Sequence, residues 1–297
     1  MRFIVSTSTL LKHLQTVNGA SSSSTVLPIL ENFLFEIKEG NLTISATDLQ
    51  TSMTTSLPVE SKEEGKVAVP SRILLDTLKT LPDQPITFHV DDNNFAIEIS
   101  AGDGKYKLSG ENGDDFPKIP VVDNASSVNL PATVLSEAIT KTIFAVSNDE
   151  LRPAMTGVYC QLSPQNITFV ATDAHKLVRY RRNDSKADKA SSFILPKKAL
   201  TLLKAALPNN DVNVSVDYNA TSAFFKFENI NLICRLIDER YPDYEAVIPA
   251  NNPNKLVIDR ALFLNTLRRV VIFANKTTHQ VRLKINGSEL HISSEDL

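Results

Sequence analysis

Cysteine is scarce in this chain of 297 residues: only Cys160 and Cys234 occur, with no CxxC pair and no histidine at metal-ligand spacing. That pattern argues against a disulfide framework and a zinc ribbon. Both thiols lie in strand-like apolar runs, "GVYCQL" and "NLICRL", where cysteine packs as a small inert hydrophobe. A reducing cytoplasm is the expected compartment. Long apolar runs are also missing. None approaches the roughly 18 to 20 residues that a membrane-spanning helix needs, so no membrane partner is expected. The opening "MRFIVSTSTLLKHLQ" has no small-residue cleavage site and reads as a strand and a helix.

Catalytic signatures are missing too. The chain has no HExxH, GxSxG, phosphate-binding P-loop or GxGxxG pattern, and its five histidines (His13, His89, His175, His279, His291) are scattered. The glycines of "AGDGKYKLSG" are flanked by strand patterns and read as a hairpin turn. His175 follows a Thr-Asp turn and reads as a turn residue packed on a neighbouring domain. No enzyme, cofactor or metal is expected. Positive charge is not in excess either: the net charge is −3, which alone gives no reason to expect nucleic acid. What remains is ordinary globular composition, 42% hydrophobic and 22% charged, at a length suited to about two domains.

What the chain does have is repetition. "LTISATDLQTSMTT" (42–55) returns as "ITFVATDAHKLVRY" (167–180) and again as "LHISSEDL" (290–297), a period near 124. Each phrase closes a pattern of alternating strand, polar turn (Glu39-Gly40, Ser163-Pro164, Asn286-Gly287) and alternating strand, which predicts a β-hairpin three times. Ahead of each lies a stretch with apolar residues at helical spacing, such as Leu135, Ile139, Ile143 and Val146. "VAVPSRILLDTLKTL" (67–81) likewise matches "FILPKKALTLLKAAL" (193–207), each a strand, a proline and a short helix. Further alternating runs come next, and the units close on "DDFPKIP" (114–120) and "ERYPDYEAVIP" (239–249). One unit is thus two copies of strand-helix-strands, and the class is α+β. Expected domains are 1–122, 123–251 and an incomplete third, 252–297. On the same period the third would run roughly 75 residues further, so the sequence reads as C-terminally truncated.

The repeat also sorts the charge. The five helical stretches, 6–20, 71–81, 131–147, 196–207 and 259–275, carry net +7, so the rest of the chain carries −10. With the helices on one face and antiparallel sheets on the other, the molecule would present a positive face suited to phosphate contact without base reading.

The phrases "LPIL" (27–30), "ELRPAMTGV" (150–158), "ATD" with "HKL" (171–177) and "RYPDYEAVIP" (240–249) together closely resemble the bacterial β sliding clamp family, the processivity subunit of the replicative DNA polymerase. The similarity runs in register through the whole chain. It implies a DNA-clamp fold in which two subunits close head-to-tail into a six-domain ring around duplex DNA, helices lining the hole. It implies sequence-independent contact with double-stranded DNA through Lys12, Arg72, Lys79, Lys141, Lys197, Lys198, Lys204, Arg268 and Arg269. The implied partners are the replicative DNA polymerase, the clamp loader and repair proteins bearing clamp-binding peptides. The family's peptide pocket maps onto Met155, Thr172, His175, Lys176, Leu177, Pro242 and Val247, a mostly apolar groove for leucine and phenylalanine anchors. The family's interface, expected to make a homodimer of the full-length protein, maps onto Tyr106 and Leu108 of one subunit and Ile272 and Phe273 of the other. Ala174 stands where many members have glycine, and Lys176 where many have arginine. The DNA-contacting arginine of some members has no counterpart in "ASSSST" (20–25), nor has their tyrosine pair in Pro153-Ala154. The other readings are an enzyme whose site lies beyond these residues and a non-ring nucleic-acid-binding module.

Overall fold

The computed structural model describes residues 1–21, 27–121 and 123–295. The expected boundary at 122, positions 22–25 of the 20–25 loop and the final two residues lie outside them. The chain divides into two compact units, Met1–Pro242 and Asp243–Leu297.

Among the described residues the first unit holds four α-helices: α1 (Thr7–Asn18), α2 (Ser71–Thr80), α3 (Ala132–Thr142) and α4 (Lys197–Ala206). Helix α1 buries Leu10, Leu14 and Val17, and the Ser6 hydroxyl accepts from the Thr9 N–H at its start. The other three each follow a proline: Pro70, Pro131 and Pro196. Proline's fixed φ sets the entry to a helix, and its missing N–H would have no partner there.

Each strand-helix-strands half gives its opening strand to the sheet of the other half. Arg2–Ser6 lies between Glu60–Ser61 and Pro85–Val90, in a five-stranded sheet completed by Ala96–Ala101 and Gly104–Ser109. Gly65–Pro70 in turn pairs with Asn32–Lys38, beside Asn41–Thr47 and Thr51–Pro58. The second repeat makes the same exchange: Ser126–Pro131 joins Asn213–Tyr218, Ser222–Phe227 and Ile230–Arg235. Its counterpart Ser191–Pro196 joins Gly157–Leu162, Ile167–Thr172 and Leu177–Arg182 in a four-stranded sheet. Thr51–Pro58 then pairs with Ile230–Arg235, so one nine-stranded antiparallel sheet runs through both repeats.

Alternation along these strands sends Phe33, Phe35 and Ile37 to the helix side, fully buried, and Leu34 to the other face. Phe3 and Phe88 of the five-stranded sheet stack at 4.8 Å, and Phe35 closes on Phe88 at 6.1 Å. The face carrying Leu34 and Ala68 is covered by Ile29 and by Phe116 from "DDFPKIP".

Two expected turns shift. Glu39-Gly40 is the two-residue turn predicted, with φ +48° and +73°, the left-handed pair that a type I′ hairpin needs. The second hairpin instead turns over four residues. There the Ser163 hydroxyl accepts from the Gln165 and Asn166 N–H groups and donates to the Asn166 carbonyl, which draws Pro164 into a longer loop. In the third, Asn286 pairs with Glu289, so the turn is Gly287-Ser288, one position later, with Gly287 at φ +57°.

The second unit contains α5 (Arg260–Val270) and a hairpin, Arg282–Asn286 with Glu289–Ser293. The Asp259 carboxylate caps the Leu262 N–H at 2.6 Å, and the Ser294 hydroxyl donates to the Val270 carbonyl at 2.6 Å, joining hairpin to helix end.

Candidate functional site

The repeated Thr-Asp phrase folds into the same turn twice, down to its hydrogen bonds. In the second repeat the Thr172 hydroxyl donates to the Lys176 carbonyl (2.8 Å) and accepts from the Ala174 N–H (3.1 Å). Asp173 Oδ1 accepts from the N–H groups of His175 (3.0 Å) and Lys176 (2.9 Å), and Oδ2 binds the Lys176 ammonium. In the first repeat Thr47 bonds Thr51 and Leu49, and Asp48 Oδ1 accepts from Gln50 (2.9 Å) and Thr51 (2.6 Å). Ala174 and Leu49 sit at φ +73° and +72°. The Lys176 ammonium, then its backbone N–H, holds the Asp173 carboxyl well below the usual carboxylate range.

The two turns differ in the strand that each one opens. Leu177 pairs with Thr172 and is half-exposed. Its counterpart Ser52 is buried, its oxygen 2.7 Å from the Thr47 hydroxyl. Thr51–Pro58 is paired along both edges, whereas among the described residues Leu177–Arg182 is paired along one. An apolar side chain beside an open strand edge is thus present in the second repeat and absent in the first.

Register places Tyr159, Val170, Thr172 and Leu177 on one face of the four-stranded sheet. Tyr241 stacks on Tyr159 at 4.5 Å and donates to the Val170 carbonyl, which brings Pro242 to this face. The opposite face meets α3: the Lys141 ammonium lies 4.8 Å over the Tyr180 ring and Arg182 binds Glu137 at 2.9 Å. Met155, half-buried, lies in the short turn Pro153–Thr156 that leads into Gly157–Leu162, and its carbonyl accepts from the Ser147 N–H. His175, Lys176 and Pro242 are exposed. Val247 belongs to the second unit, where it is exposed at the end of the turn Glu245–Val247.

The four helices of the first unit form one layer. Helix α1 packs beside α2, and α3 beside α4. The end of α1 meets α4 so closely that a Cβ on Gly19 would lie 2.3 Å from Leu202. Lys12, Arg72, Lys79, Lys141, Lys198 and Lys204 are exposed and Lys197 is half-buried. Lys79 reaches Asp76 at 3.4 Å, Lys141 binds Glu137 at 2.6 Å, Lys197 donates to Asn148 at 2.9 Å, and Lys198 binds Asp48 at 2.6 Å. Among the described residues Lys12, Arg72 and Lys204 have no carboxylate partner. Glu137 raises the Lys141 pKa and is itself held low, chiefly by Lys141. Arg268 and Arg269 are exposed in the last turn of α5, Arg269 bonding Thr266.

Tyr106 and Leu108 lie on the edge strand Gly104–Ser109, partly buried against the core. Ile272 and Phe273, in the second unit, are 74% and 70% exposed, unusual for side chains this apolar. Both cysteines are buried and free, and burial pushes the Cys234 thiol up to about 12. Among the described residues no cluster of metal-ligating side chains occurs, and no helix is long and apolar enough to cross a membrane. Sequence reasoning missed Asp48 and the Tyr159–Tyr241 stack. The repeated Thr-Asp phrase was a signal for the first. The second joins residues 82 apart and had none.

The family described as DNA polymerase III beta subunit, N-terminal domain, matches residues 1–120, and its central domain matches 129–243. The beta sliding clamp of Halalkalibacterium halodurans is 29% identical over 95% of this chain and 77% of its own length. That of Synechococcus elongatus is 29% identical over 100% of this chain and 82% of its own. Among solved structures, the DNA polymerase sliding clamp of Bacillus subtilis superposes with a TM-score of 0.93 at 26% identity, covering 98% of this chain and 80% of that one. The sliding clamp of Bartonella birtlesii, bound to griselimycin, gives 0.92 at 29% identity over 98% and 80%.

Proposed function

The chain belongs to the DNA polymerase III beta subunit family and is a DNA sliding clamp, and from that premise we propose that its helix layer faces duplex DNA while the Leu177 edge receives partner peptides. The carrying observation is the separation of the two surfaces: Thr172 and Leu177 lie on one face of the four-stranded sheet, and α3 packs against the other. The helix layer of the first unit offers Lys12, Arg72 and Lys204 as uncompensated cations, with Lys79, Lys141, Lys197 and Lys198 on the same helices. In the second unit, α5 separately carries Arg268 and Arg269, to which we assign the same role. Such a surface attracts phosphates without reading bases.

Two copies close a ring in this reading, Tyr106 and Leu108 of one against Ile272 and Phe273 of the next. In this reading the domains are 1–122, 123–251 and 252–297. The peptide site comprises Met155, Thr172, His175, Lys176, Leu177 and Pro242, and takes a Gln-x-x-Leu-Phe pattern. The polymerase, the clamp loader and repair proteins compete for it in the cytoplasm, and the clamp performs no catalysis. The bound griselimycin of the Bartonella birtlesii clamp is consistent with a ligand site in this family. Retention on DNA tests the ring. Once loaded, the protein is expected to stay on closed circular DNA and to run off after linearisation. Equal retention on both forms would favour a non-ring binding module.

A further inference from the structure

We propose that Asp48 is a built-in competitor for phosphate, holding Lys198 in an ion pair that weakens the grip of the helix layer on DNA; the inference rests on the DNA-facing reading of that layer. Lys198 Nζ lies 2.6 Å from Asp48 Oδ2, although the residues are 150 positions apart and belong to different repeats. The Asp48 side chain is 15% exposed and that of Lys198 44%. A carboxylate this shielded is screened less by salt than a surface one.

The internal repeat shows why this carboxylate faces the helix layer. In the second turn Asp173 Oδ2 is neutralised within the turn by Lys176. The residue that corresponds to Lys176 in the first turn is Thr51, which brings no charge. Asp48 therefore spends Oδ1 on the turn, as Asp173 does, and takes its cation from α4. Of the three lysines on α4, one is thereby compensated. A phosphate can engage it only by displacing Asp48, so one fewer counterion is released on binding. For a protein that must slide, a weaker phosphate contact is an advantage.

Asp48→Asn tests this, because Asn keeps the Oδ1 acceptor of the turn and removes the charge. Duplex association is measured against salt. The variant is expected to steepen the slope of log K against log salt by about 0.9 and to tighten binding on the order of tenfold at 50 mM salt. The double variant Asp48→Asn/Lys198→Gln, with unchanged net charge, is expected to bind like the parent. Lys204→Gln and Lys12→Gln are expected to weaken binding. If they do so while Asp48→Asn changes neither slope nor affinity, the proposal is overturned and the DNA-facing reading stands. A double variant weakened as much as Lys204→Gln also overturns it, since Lys198 would then contact phosphate despite Asp48. If Lys204→Gln and Lys12→Gln have no effect, the DNA-facing reading itself fails. Should Asp48→Asn not fold, Asp48→Ser, which retains a hydroxyl acceptor for the turn, replaces it with the same expected outcomes.

Discussion

Ala174 and Leu49 hold the left-handed backbone of two equivalent turns, at φ +73° and +72°. That conformation costs a non-glycine residue roughly 1–2 kcal/mol. Glycine at 174 removes most of that strain, offset in part by the greater freedom glycine has in the unfolded chain. Ala174→Gly is therefore expected to raise stability by about 0.5–1 kcal/mol, read as a higher urea midpoint; a lower midpoint would contradict the account. His13 supplies a pH dependence. Its Nδ1 lies 2.8 Å from the Thr55 hydroxyl oxygen, and burial first, then Lys12, holds its pKa below 6.5. The unfolded chain then takes up a proton at this site more readily than the folded one. The contribution is fully present above about pH 6.5 and is lost as the pH falls below it, toward the folded pKa. Urea midpoints between pH 7.5 and 5.5 are expected to fall for the parent and to fall less for His13→Gln. Equal slopes would remove His13 from the account.

At the scale of elements, the core is set by which strand meets which sheet. Phe88→Ala would open a cavity where Phe3 and Phe35 converge and is expected to cost about 3–5 kcal/mol in chemical denaturation. A cost below 1 kcal/mol would mean that the two sheets do not rely on this contact. Helices, hairpins and their repetition were legible in the sequence because each rests on local periodicity: Leu10, Leu14 and Val17 along α1, Glu39-Gly40 between two alternating runs. The exchange of opening strands was not legible. Gly65–Pro70 alternates equally well for either sheet, and only packing of the whole unit decides its neighbour. The candidate peptide site was visible as the phrase "ATDAHKL", but the phrase alone marks a turn. What separates it from "ATDLQTS" is Leu177 in place of Ser52 and an edge that, among the described residues, is left open instead of paired. Lys198 was legible as a cation but not as Asp48's partner, since no local rule links positions 150 apart.

Across the first unit, the nine-stranded sheet joins both repeats through Thr51–Pro58 and Ile230–Arg235, and α1 meets α4 at Gly19 and Leu202. Residues 1–242 are thus expected to unfold in a single cooperative transition, with calorimetric and van't Hoff enthalpies equal. Two resolved transitions would show that the repeats are independent. The central proposal is that two surfaces of the first unit, on opposite faces of its four-stranded sheet, serve two partners. Its most direct test is one paired titration of Leu177→Ala and Lys204→Glu, each against a labelled duplex and a labelled Gln-x-x-Leu-Phe peptide. Leu177→Ala is expected to weaken peptide binding by ~1–2 kcal/mol and to leave DNA binding unchanged. Lys204→Glu is expected to weaken DNA binding, most at low salt, and to leave peptide binding unchanged. If either variant changes both affinities alike, or if Leu177→Ala leaves the peptide unaffected, the assignment of the two surfaces is wrong.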